Sequence, residues 1–122
     1  MDASRRGQEV YWEALGRLVK DHQIVIDRRK GNSHPRYSEM IYPLDYGYLE
    51  RTTTVDGGGI DIFVGSLCSN IIQGIICTVD SKKNDAEIKI MYNCTECEIR
   101  SALEFLNGKC MSAIFVENEQ QI

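Results

Sequence analysis

Five short β-prone runs, turn signals at close spacing and two helical segments predict an α+β domain, mainly β, built as a small barrel or half-barrel. The runs are "QIVIDR" (23–28), "IDIFVGSL" (60–67), "NIIQGIICTVD" (70–80), "AEIKIMY" (86–92) and "MSAIFVE" (111–117). Short strands separated by turn residues favour that arrangement over a parallel sheet.

Each element has a local reason. Residues 1–7 (MDASRRG) are polar and expected to be disordered, with 8–122 forming a single domain. From Gln8 to Asp21, the residues Tyr11, Leu15, Leu18, Val19 and His22 recur at helical spacing and predict an amphipathic helix. "QIVIDR" is β-branched, and "RRKGNSHPRYSE" reads as a basic, turn-rich loop with Gly31, Asn32 and Pro35. Tyr42, Tyr46 and Tyr48 alternate along an extended segment, so a regular strand would place them on one face. Pro43 argues for an edge or irregular strand there. "SKKND" is a polar turn, and "AEIKIMY" alternates with period two as a half-buried strand does. Thr95 and Glu98 form a capping box opening a helix through Leu106, which Asn107-Gly108 ends.

Composition narrows the function. The 122 residues are 43% hydrophobic and 26% charged, as in an ordinary soluble protein. A net charge of −4 argues against a nucleic-acid partner, which needs clustered Lys and Arg. No apolar run approaches the roughly 18 residues of a membrane span, and no signal-peptide core opens the sequence. The expected setting is the cytoplasm, without membrane attachment. The five cysteines are odd in number and lack a framework spacing, so free thiols are expected. Cys94-x-x-Cys97 is the one pair at metal spacing, and it lacks the second pair or His ligands of a zinc site.

Aspartates carry the chemistry. Asp56 and Asp61 flank three consecutive glycines, and Asp80 and Asp85 flank "SKKN" with the same separation. If the strands opening at Ile60 and Ala86 are neighbours, four carboxylates converge at one end of a barrel. Such a cluster repels itself unless hard cations neutralise it, and carboxylate ligation suits Mg²⁺ or Mn²⁺. Each pair alone also fits plain turn chemistry. Arg28, Arg29, Lys30, His34 and Arg36 crowd one loop of an acidic chain, which suits an anionic, metal-bound substrate and equally a solvated loop. Tyrosine hydroxyls can bond phosphate oxygens or serve as ordinary core aromatics.

These residues resemble a known family. "YPLDYGYLERTTTVDGGGIDIFVG" (42–65) is similar to the segment of soluble (family I) inorganic pyrophosphatases reading Tyr-Pro-x-x-Tyr-Gly-Tyr-[Ile/Leu]-x-x-Thr and then Asp-Gly-Asp-x-x-Asp-[Val/Ile]. "GIICTVDSKKNDAEIKI" (74–90) is similar to the next strand, aspartate, five-residue step, aspartate and strand. The resemblance covers roughly Gln23 to Met91. It implies an OB-like twisted barrel of about five strands, homo-oligomeric assembly and Mg²⁺-dependent hydrolysis of pyrophosphate to two phosphates. It implies metal ligands at Asp56, Asp61, Asp80 and Asp85, with Asp27 feeding the site. Asp61, Asp56 and Tyr46 become the catalytic candidates, and Arg28, Lys30, Arg36, Tyr46 and Lys89 the substrate-binding ones. Three departures accompany it. Gly58 stands where the family has its middle aspartate, the group thought to activate the water. Glu87 stands where a lysine is expected, leaving Lys89 two residues further along the same strand face. The family's C-terminal Lys-Tyr region has no counterpart. The resemblance therefore also admits a slowed enzyme, a phospho-ligand-binding descendant or an OB-like interaction module.

Overall fold

The computed structural model describes residues 3–120. Helix α1 (Ala3–Asp21) leads into strands β1 (Ile24–Arg28), β2 (Asp45–Leu49), β3 (Asp61–Val64), β4 (Ile72–Asp80) and β5 (Asp85–Tyr92). Helix α2 (Glu96–Leu106) and strand β6 (Met111–Glu117) follow. One mixed sheet has the order β1-β2-β3-β5-β4-β6, with every pairing antiparallel except β3 with β5. Among the described residues β1 and β6 do not pair, so the sheet stays open instead of closing as a barrel.

The mainly β class with one helix near each end agrees with the expectation, and the strand count rises to six. The added strand is β2, the tyrosine segment. It lies between β1 and β3, inside the sheet, because Pro43 falls before its first residue and leaves every ladder donor intact. Helix α1 begins at Ala3, so residues 3–7 of the segment expected to be disordered are helical, while residues 1–2 fall outside the described residues. Once a helix is nucleated, Ala and Arg extend it at little cost.

Three consecutive pairs, Ile62-Phe63, Ile75-Ile76 and Ile90-Met91, are buried at both positions. Neighbouring side chains on a strand point to opposite faces, so the middle of the sheet is covered on both sides. Ile62, Ile75 and Ile90 pack with Trp12, Leu15 and Val19 of α1. Phe63, Ile76 and Met91 pack with Ile99, Ala102 and Leu106 of α2. The capping box is formed: Thr95 Oγ1 accepts from the Glu98 amide at 3.2 Å, and Glu98 Oε1 accepts from the Thr95 amide at 2.9 Å. At the other end of α2, Asn107 turns its side chain onto β6. Its Oδ1 accepts from the Ala113 amide at 2.9 Å, and its Nδ2 donates to the Ala113 carbonyl at 3.2 Å. No helix among the described residues is long and apolar enough to cross a membrane.

Candidate functional site

The site is built where β2, β3 and β5 run side by side. Alternation along β5 puts Asp85, Glu87 and Lys89 on one face, and the parallel register sets Asp61 of β3 directly beside Lys89. Lys89 is only 6% exposed. Its ammonium donates to Asp61 Oδ2 at 2.9 Å and to Tyr46 Oη at 2.9 Å, and lies 3.6 Å from Glu87 Oε2. Three acceptors thus surround three donors. Burial disfavours the charged amine, yet the interactions with Tyr46 and Asp61 outweigh it and raise its pKa. Glu87 is shifted upward, chiefly by burial; Lys89 opposes the shift, and the nearby Asp61 and Asp85 carboxylates add to it. Burial likewise pushes the Tyr46 phenol up, so it stays neutral.

Arg28, at the end of β1, extends over this junction. Its guanidinium carbon lies 5.5 Å from the Tyr42 ring centre and 5.9 Å from that of Tyr46, and its Nη1 donates to Tyr42 Oη. The Tyr42 and Tyr46 rings meet at 5.4 Å, while Tyr48 lies against Gly59. The basic loop folds back over Tyr42, with the His34 and Tyr42 rings parallel within 8° at 6.2 Å. Burial and the charges of Arg28, Arg36 and Lys83 hold His34 below its ordinary pKa. The tip of the β4–β5 turn therefore stands near this loop. Lys83 also acts on Asp56, so basic and acidic groups share one rim.

The aspartates divide by what they already hold. Asp56 is fully exposed and bonds within its own turn, accepting from Thr54 Oγ1 and from the Gly58 amide at 3.0 Å, contacts that lower its pKa. Asp80 likewise accepts from the amides of Lys82 and Lys83, both at 3.0 Å. Asp27 is exposed at a register shift in β1. Asp85 pairs across the ladder with Asp80. The strands of Asp61 and Asp85 are neighbours, as the convergence of carboxylates required. Their register, however, sets Asp61 four residues beyond Asp85, roughly 13 Å along the strand. Glu87 bridges that gap. Among the described residues no three His, Cys, Asp or Glu side chains are grouped to hold a metal ion. Lys30 lies on the loop, its amide donating to Asp45 Oδ1, and the Arg36 amide donates to His34 Nδ1. The three glycines also divide. Gly57 has φ +87°, and a Cβ on Gly59 would lie 2.9 Å from Tyr48, whereas one on Gly58 meets only Asp56 Oδ1 at 3.4 Å and Thr54 Oγ1 at 4.0 Å.

Glu87 is a member of this cluster that the sequence reading named only as a departure. The strict alternation Asp85-x-Glu87-x-Lys89 was the available signal. Cys94 and Cys97 separate: Cys94 is in the core, its thiol pushed up to about 12 by burial and Glu98, while Cys97 is exposed.

No protein-family model matches the chain. Solved structures of inorganic pyrophosphatases from Coxiella burnetii and Neisseria gonorrhoeae superpose on it with TM-scores of 0.60 and 0.63. They cover 79% and 80% of this chain and 85% and 82% of theirs, at 12% and 14% identity. The fold is thus that of the inorganic pyrophosphatases. Inorganic pyrophosphatases of Geobacillus stearothermophilus and Bacillus sp. (strain PS3) are each 37% identical to it over 60 residues, 43% of this chain. That match spans 36% of each relative. Fold and partial sequence likeness together mark the chain as a family I pyrophosphatase-like protein.

Proposed function

We propose that this chain hydrolyses inorganic pyrophosphate to two phosphates in a Mg²⁺-dependent reaction. The observation that carries the reading is the meeting of Asp61, Glu87, Lys89 and Tyr46 under the Arg28 guanidinium. The donor chemistry suits the ion: Asp61 and Glu87 stand together around a single ammonium, two carboxylates against one positive charge. Mg²⁺ usually takes one or two carboxylates and completes its shell with waters and substrate phosphates, so it needs no preformed protein cage. Asp61 and Glu87 are the residues to hold it, with Asp85, Asp56 and Asp80 at the rim and Asp27 beyond them. When bound, the ion neutralises phosphate charge and acidifies a water.

The chain's own residues then have distinct tasks. Lys89 has its donors engaged and acts as a positioning residue, fixing the Asp61 carboxylate through Oδ2. Asp61 takes the proton of the attacking water as the bridging P–O bond breaks and one phosphate departs. Arg28, with Lys30 and Arg36 on the loop, binds the phosphate oxygens, and the neutral Tyr46 adds a hydroxyl beside them. Gly58 leaves the water without a second acceptor, which slows the reaction by about 10²–10⁴-fold against a site that has one.

Phosphate release from pyrophosphate tests this. We expect release with Mg²⁺, loss of release in EDTA, and a fall of at least about 100-fold in Asp61→Asn. Metal-independent release, or undiminished release from Asp61→Asn, overturns the proposal. The absence of a carboxylate at Gly58 favours a second reading, a phospho-ligand-binding protein without turnover. Thermal stabilisation by pyrophosphate and Mg²⁺ with no phosphate released would select it.

A further inference from the structure

The basic loop between β1 and β2 is an ordered hairpin. The Tyr42 amide donates to the Asn32 carbonyl at 2.9 Å and the His34 amide to the Met40 carbonyl at 2.8 Å, with Ser33 and Ile41 bridged between them. At its tip the Met40 amide donates to the Tyr37 carbonyl at 2.9 Å. The Arg36 amide donates to His34 Nδ1 at 3.0 Å, so the neutral ring carries its proton on Nε2. The side chains of this hairpin are therefore held at set positions beside the site.

Those side chains carry the ring contacts of the site outward. Tyr46 meets Tyr42, Tyr42 lies parallel to His34, and His34 meets Tyr37 with ring centres 5.2 Å apart. Exposure rises along the run: Tyr42 is buried, His34 half-buried and Tyr37 43% exposed. Cations follow the same route. Arg28 lies over Tyr42 and Tyr46, and the charges that act on His34 are Arg28, Arg36 and Lys83, all positive. Pyrophosphate alone leaves Lys83, His34 and Tyr37 without a task, because a phosphate group gains nothing from an exposed ring. Aromatic faces set among cations suit a planar ring joined to phosphates.

Resting on the hydrolysis reading, we propose that the site also takes a nucleoside triphosphate, its base stacked on Tyr37 beside His34 and its phosphates led inward past Lys83 and Arg36 to Arg28. His34 donates from Nε2 to an oxygen of the ribose or of the first phosphate. At the inner end the chemistry is that of pyrophosphate. Water attacks the terminal phosphorus, and the bond from that phosphorus to its bridging oxygen breaks. The oxygen leaves on the nucleoside diphosphate, and Asp61 takes the proton of the water. Tripolyphosphate has the same row of phosphates and no ring, so a site built on charge alone would not favour the nucleotide over it.

Phosphate release from pyrophosphate, ATP and tripolyphosphate, each with Mg²⁺, tests it. The kcat/KM for ATP is expected to exceed that for tripolyphosphate at least about tenfold, within what one stacked base contributes. Tyr37→Ala removes that margin through KM and leaves pyrophosphate release unchanged, while Tyr37→Trp keeps the margin. Because Tyr37 is exposed, both variants keep the fold. Release from pyrophosphate without a preference for ATP over tripolyphosphate, or a preference that survives Tyr37→Ala, overturns the nucleotide proposal and spares the hydrolysis reading. If none of the three is turned over, the hydrolysis reading falls, and calorimetric titration with the β,γ-methylene analogue of ATP decides the nucleotide site by itself. Binding at least about tenfold tighter than that of tripolyphosphate, and lost in Tyr37→Ala, upholds the site; equal binding of the two overturns it.

Discussion

The two faces of this sheet solve different problems. On the α2 face, a lysine is buried among Asp61, Glu87 and Tyr46, and each polar group there depends on the others. On the α1 face, Val79, Ile114 and Val116 stand in the open with no charge among them. The first face concentrates electrostatic energy in a few atoms, so a single deletion leaves an uncompensated charge. The second spreads weak apolar surface over many atoms, so single changes matter little to the isolated chain and more to whatever covers it.

The largest effect is expected from Lys89→Met. It strands Asp61 and Glu87, and should cost about 3 kcal/mol in urea unfolding, the low end for a broken buried pair because both carboxylates are partly exposed. Adding Asp61→Asn should recover part of that loss. A cost below about 1 kcal/mol, the size of an exposed pair, would erase the contrast between the faces. An intermediate effect is expected at the rim. Gly58→Asp fits the open space there and should raise pyrophosphate hydrolysis at least about tenfold, a modest share of what a general base contributes. Unchanged activity would mean the rim is not arranged for that base. The smallest belongs to the bare face: Val79→Thr should shift urea stability of the dilute chain by no more than about 0.5 kcal/mol. A loss of the size seen for core truncations would show that the face is covered within the chain.

Legibility in the sequence followed the range of the forces. Helix α2 was readable to the residue because Thr95 and Glu98 satisfy each other's amides across one turn. Strand β4, too, was clear from its run of β-branched residues. Strand β2 was legible only as an extended segment that Pro43 assigned to an edge or irregular strand, since its ladder partners come from β1 and β3, distant in sequence. The matched spacing of Asp56–Asp61 and Asp80–Asp85 pointed to β3 and β5, which are neighbours in the sheet. What it could not supply was the parallel register of β3 against β5, a tertiary property, which sets Asp61 beside Lys89. Nor could spacing show that Asp56 and Asp80 fold back onto their own turns.

The Asn107 side chain adds a further consequence. By meeting both backbone groups of Ala113 it plays the part of a one-residue strand on the outer margin of β6. A margin interrupted in this way is a poorer template for an added strand. A single side-chain amide thus blunts the edge that an added strand would need.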